Sequence, residues 1–319
     1  MPSIVTTNRP LSVGDIIGRA FRIFRINLKL IAQVLLFPTI LLCAGRIGFI
    51  IGLTHLSKSA ADIAALPTWG LVALAGGLLL LIGGFVLYLR LIALVRVFTG
   101  FAPDYIEANK YAKTRLGSLI GLTLAAFAAT ILVMLMFAVA IGISVALFAG
   151  KGVFLVAGVL GLTISICSGF LTLLFVSVVG HMSLSGIAIE KDDLGTLISH
   201  ALALSSRSFF RSILFYFLTT SAVALLAYPL SLPLIIILVG HSVSQGIATG
   251  THHSATELPI YMQIVSQVWE QLVSMIVTPI SFTCFGLYYC DLRMRQEGLD
   301  LIERVQVMQA ENNSELELQ

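Results

Sequence analysis

The chain has 319 residues, 58% of them hydrophobic and only 11% charged, with a net charge of +3 at neutral pH. Soluble domains run near a quarter charged, so this composition and a mean hydropathy of +0.99 exclude a surface solvated mainly by water. Lipid is the principal solvent, and these residues suffice for about six membrane crossings with short loops, leaving none over for a soluble domain.

The first predicted element is an amphipathic helix. Ser12 and Asp15 have capping-box spacing, with Asp in place of the usual Glu. Val13, Ile16, Ile17, Ala20, Phe21, Phe24, Leu28 and Ile31 recur on one face, and Asp15, Arg19, Arg22, Arg25 and Lys29 on the other. Such a helix is expected to lie in the headgroup plane, aromatics in the acyl boundary and basic side chains towards anionic lipid. Arg19, Arg22, Arg25 and Lys29 are therefore candidates for a lipid- or partner-recognition surface; a plain topological anchor is the alternative.

Six apolar segments follow, near 30–53, 69–95, 117–147, 153–180, 212–240 and 265–290, each with about the 20 residues that cross a bilayer. The first lies too far in and is too long for the apolar core of a signal peptide. Its Pro38 predicts a mild kink. Gly76-Gly77 and Gly83-Gly84 in the second suit close helix packing. Asp104 and Glu107, after Pro103, open a second interfacial helix. Little more than Lys151 separates the third and fourth spans, which predicts a tight hairpin. Asp193, before Leu194 and Leu197, opens a third interfacial helix. Pro229 and Pro233 predict a kink or break in the fifth span, and Pro279 a milder kink in the sixth.

The unit of interfacial helix, span, outer loop and span thus recurs near 11–100, 101–190 and 191–298. The expectation is one all-α transmembrane domain over 1–310, in three hairpins, with a disordered acidic tail at 311–319. Sixteen of the nineteen basic residues fall on one side of this arrangement; only Arg46, Lys58 and Lys151 fall on the other. The bias predicts both termini in the cytoplasm.

Ionisable groups inside a membrane point to function, but no span centre holds Asp, Glu or Lys. Arg46 and Glu270 sit at comparable depths near the outer edge, so an ion pair between them would close that side of the bundle. The alternative is that each snorkels to water. In the last outer loop, His253 and Glu257 have i, i+4 spacing, yet with His252 they lie in a Thr/Ser/Gly-rich stretch that reads as solvated. Cys43, Cys167, Cys284 and Cys290 have the spacing of neither a zinc site nor a disulfide framework. No nucleophile with its base, carboxylate cluster or phosphate loop is evident, so no catalytic or metal residue is assigned, and no cofactor.

The last span ends Leu287-Tyr288-Tyr289-Cys290-Asp291-Leu292-Arg293-Met294-Arg295-Gln296-Glu297-Gly298-Leu299-Asp300-Leu301. Asp291 and Arg295 have i, i+4 spacing, with Gly298 as the helix C-cap. Asp291, Arg293 and Arg295 could lock the last span to the interfacial helices or dock a cytoplasmic partner. This ending resembles that of bacterial proteins of the glycerophosphoryl diester phosphodiesterase membrane-domain family, with Cys290 inserted between Tyr289 and Asp291. The opening from Leu11 to Asn27 and the stretches Ala188-Ile189-Glu190 and Ser205-Ser206-Arg207-Ser208-Phe209-Phe210-Arg211 are similar to that family's first helix and middle motif. The resemblance implies a membrane architecture without the separate soluble domain in which the family's enzymes hydrolyse phosphodiesters. It further implies a bacterial inner membrane, or a thylakoid in a photosynthetic host.

Three functions remain open. The first is a non-enzymatic scaffold, assembly or regulatory component, with the bilayer, anionic headgroups and other membrane proteins as partners and no nucleic acid. The second is a transporter or lipid-handling permease with a cavity between the hairpins. The third is a membrane enzyme.

Overall fold

Three short helices begin where the capping residues predict them, in a computed structural model that describes residues 11–58, 66–148, 153–249 and 259–298. In α1 (Val13–Ile26), Ser12 and Asp15 form a reciprocal capping box. Asp104 accepts from the Glu107 N–H at the start of α4 (Tyr105–Thr114). Asp193 accepts from the Gly195 N–H at the start of α7 (Leu194–Arg207). Each carboxylate or hydroxyl satisfies an amide that the first helical turn leaves without a partner.

Each short helix leads into two long ones. They are α2 (Leu28–Lys58) with α3 (Leu66–Phe98), α5 (Leu116–Phe148) with α6 (Val153–Ile189), and α8 (Phe209–Thr249) with α9 (Ile260–Glu297). All six are long and apolar enough to cross a membrane, and no strand occurs among the described residues. The chain is a multi-pass helical membrane protein. Lys151, the segment 250–258 with His252, His253 and Glu257, and the tail 311–319 lie outside the described residues.

The fifth span does not break at its prolines. α8 is assigned as one helix through Pro229 and Pro233, although each proline deprives a carbonyl one turn earlier of its donor. Neighbouring helices in a membrane can supply side-chain donors near such sites. Here the freed carbonyls are those of Leu225 and Pro229, and the Trp269 indole of α9 donates beside the second, to the Leu230 carbonyl at 2.8 Å.

Small residues bring α2 and α3 into backbone contact. Gly45 and Gly52 on α2 lie against Leu80 and Ala73 of α3, Gly76 and Gly83 on α3 lie against Phe49 and Leu42 of α2, and a Cβ on Gly76 would lie 2.3 Å from the Phe49 nitrogen. The two glycines of each helix are seven residues apart, which keeps them on one seam of the hairpin.

The core gathers at one end. α9 packs against α1, α2, α3, α6, α7 and α8, and more than half of its most apolar stretch is buried; α5 and α8 bury almost none of theirs. At 1.5 Å per residue α9 is about 57 Å long, far beyond the roughly 30 Å of hydrocarbon. Its last turns extend towards α1 and α7, at the basic end of the bundle, where Arg96, Arg115, Arg211 and Arg293 gather. There Phe215 stacks on Tyr288 at 3.9 Å, among Ile16, Ile23, Leu91, Leu197 and Phe285.

The apolar stripe of α1 turns largely to protein: Ile16, Ala20 and Ile23 are buried in the core, and the partly buried Phe21 and Phe24 pack against it. The extension of α9 provides a fixed apolar surface, and α1 docks on it. Arg22, Arg25 and Lys29 still face outward.

Candidate functional site at the basic end

Asp291 is the most buried charge in this layer, with no exposed surface. Its carboxylate accepts from the Leu11 N–H at 2.8 Å, Arg211 Nη2 at 2.7 Å and Arg295 Nε at 3.0 Å. Arg211 and Arg295 also donate to the Leu11 carbonyl, at 3.3 and 2.8 Å. A buried carboxylate requires such partners, because desolvation without them is costly. Local sequence places each group: Arg295 is one turn beyond Asp291, Arg211 is in the first turn of α8, and Leu11 directly precedes the N-cap of α1. One side chain therefore clasps the start of α1, the start of α8 and the end of α9.

A second cluster lies beside it. Arg293 joins two carboxylates, with Nη1 2.9 Å from Glu190 Oε1 and Nε 2.9 Å from Glu297 Oε2. Tyr289 donates its hydroxyl to Glu190, and His200 lies between Glu297 and the Tyr289 hydroxyl. These contacts tie the end of α6 to α7 and α9.

The carbonyls at the end of α6 form a third feature. Arg96 donates to those of Ala188 and Ile189 at 2.8 and 3.2 Å, and Arg115 to those of Glu190 and Asp192 at 2.9 and 3.0 Å. Tyr111 donates to the carbonyls of Ile187 and Glu190, and the Arg96 guanidinium lies 3.7 Å from the centre of its ring. Cations at a helix C-terminus satisfy orphan carbonyls and oppose the helix dipole. On α4, burial pushes the Tyr105 phenol above its ordinary pKa, opposed by the Arg90 guanidinium that donates to it.

Asp291, Arg293 and Arg295 are thus brought together, but turned inward onto the protein. Arg22, Arg25 and Lys29 form an exposed flank of α1 and the start of α2, and Arg19 is half-buried on α1. Arg46 and Glu270 pair at the opposite end with N···O 3.0 Å, and Arg46 also donates to Gln267. Both are about half exposed, and pairs in that setting are worth about 1 kcal/mol or less. Among the described residues no group of His, Cys, Asp and Glu side chains is arranged to hold a metal, and all four cysteines are free.

Sequence reasoning missed the joining of Glu190, His200, Tyr289 and Glu297. One signal was available: Arg293 and Glu297 have i, i+4 spacing. The pairing of α6 with α9 had none.

A cavity of about 280 Å³ opens between α3, α5, α6 and α9, in the half of the spans nearest the basic end. Its lining includes Tyr88, Leu119, Thr123, Thr130, His181 and Phe282. His181 is held by its Nδ1, 2.8 Å from the Ser177 carbonyl, and by stacking on Phe285 at 4.5 Å. The sequence marks His181 only as a lone histidine.

No family model, curated protein or solved structure matches the chain. The likeness of its ending, opening and centre to the glycerophosphoryl diester phosphodiesterase membrane-domain family accordingly stands on the motif residues alone.

Proposed function

We propose that this protein is a non-enzymatic scaffold or assembly component of a bacterial inner membrane, cytoplasmic at its basic end. The observation that carries the reading is the contrast between that end and the flanks. At the basic end nearly every ionised side chain of Asp291, Arg211, Arg293, Arg295, Arg96 and Arg115 is spent on holding helices together. The flanks of α5, α6 and α8 present wide, unburied apolar surface. A fixed platform with open apolar sides suits packing against other membrane helices. The outward Arg22, Arg25 and Lys29 suit anionic headgroups. The motif likeness supports the bacterial setting, which in a photosynthetic host extends to the thylakoid.

The test is affinity purification of the full chain from its native membrane in mild detergent, with every co-eluting protein identified. The expected result is a stoichiometric membrane partner, lost when bulky or charged residues replace Phe127, Leu132 and Leu135 on the exposed face of α5. Recovery of the bare chain alone overturns the proposal.

A further inference from the structure

We infer that the cavity at His181 is a binding site for a neutral bilayer lipid that carries a free hydroxyl. The inference goes beyond the scaffold reading and does not depend on it. Position comes first. Tyr88 lies eight residues before Arg96, His181 nine before Glu190 and Phe282 nine before Asp291. At 1.5 Å per residue all three stand about 12–14 Å from the arginine layer, a depth within a single leaflet. Tyr88 and Thr123 are both exposed at the edge of the cavity, so it communicates with the side of the bundle, where lipid lies. Its volume of about 280 Å³ equals the liquid volume of roughly nine water-sized groups, enough for part of an acyl chain with a small polar group.

Chemistry selects the class. No charged side chain lines the cavity. The hydroxyls of Thr123, Thr130 and Ser177 donate to carbonyls of their own helices. Two polar groups are left over. His181 Nδ1 donates to the Ser177 carbonyl, which in the neutral ring selects the tautomer whose Nε2 is the acceptor. The Tyr88 hydroxyl is a donor with no hydrogen-bond partner among the described residues. Both rings pack on Phe282, at 5.8 Å for Tyr88 and 5.6 Å for His181. An acceptor and a donor lining one largely apolar cavity call for a ligand that both accepts and donates. A charged headgroup would meet no counter-ion in the lining, and the Arg96 and Arg115 guanidiniums of the basic end are held by the carbonyls at the end of α6.

The experiment uses the full chain in dodecyl maltoside micelles and, as probe, a diacylglycerol with a diazirine in one acyl chain. After irradiation, labelled peptides are mapped by mass spectrometry, with unlabelled dioleoylglycerol, dioleoylphosphatidylglycerol or hexadecane as competitor. The expected label falls within 119–130 and 176–184 and is displaced by dioleoylglycerol well before the other two. Ala126→Phe, which fills the cavity, should abolish it. Tyr88→Phe and His181→Phe, each removing one hydrogen bond, should each weaken displacement about three- to tenfold. Equal competition by hexadecane shows an apolar groove without recognition, and equal or better competition by the phosphatidylglycerol shows a charged-lipid site; either overturns the inference. So does labelling that persists in Ala126→Phe. Thermal melting checks that each variant is folded, and Tyr88→Phe, which removes one oxygen, keeps the question answerable if His181→Phe unfolds.

Discussion

Replacing Asp291 by Asn tests the clasp with almost no change of shape. The carboxylate is fully buried and receives two guanidiniums and one backbone amide. An amide oxygen can keep one of these donors, but the negative charge is gone and its NH2 group faces other donors. Removing one partner of a buried ion pair costs about 3–5 kcal/mol. Arg211 and Arg295 are 28% and 34% exposed, so water recovers part of their hydration and the lower end applies. A loss of about 3 kcal/mol lowers the folded-to-unfolded ratio about 150-fold. Equilibrium unfolding by dodecyl sulfate in mixed micelles, followed by circular dichroism, measures it. Hydrogen exchange adds a local signature, because Leu11 loses its acceptor and α1 should exchange faster. A variant within about 1 kcal/mol of the parent, with α1 equally protected, would show that the apolar contacts of Ile16, Ala20 and Ile23 hold the layer unaided.

Three further outcomes follow from other parts of the fold. Gly76→Ala places a Cβ 2.3 Å from the Phe49 nitrogen and should destabilise by about 1–3 kcal/mol. Gly84→Ala, where an added Cβ meets nothing within 4 Å, should stabilise by up to about 1 kcal/mol through helix propensity; melting both variants checks the α2–α3 seam, and an equal response refutes it. Arg46→Glu and Glu270→Arg should each lower stability slightly, and the double swap should restore about 1 kcal/mol or less. A double swap no better than either single change refutes a working pair. Reporter fusions after Arg96, Lys191 and Arg304 should all read cytoplasmic, and a periplasmic reading at any of them breaks the proposed orientation.

Much of the fold was legible because a bilayer makes local sequence decisive. An apolar run of span length must be a helix, since only a helix satisfies its own backbone in lipid. Ser12, Asp104 and Asp193 mark the three short helices for an equally local reason: each bonds an amide two or three residues on. The i, i+4 pair of Asp291 with Arg295 and the left-handed C-cap at Gly298 are local in the same way.

What the sequence by itself determined, then, is six spans, three caps and the ladder of charges at the end of α9, because those features depend on neighbours within a turn or two. Tertiary structure alone decided that α1 docks on protein, that Asp291 faces Leu11 and Arg211, and that Glu190 meets Arg293. It also set His181 and Tyr88 around one cavity. Those contacts join residues about 80 to 280 positions apart, and they depend on how far α6 and α9 extend past the hydrocarbon and which faces they turn to their neighbours. Hydropathy carries no record of either, since lipid and a packed helix are equally apolar surroundings.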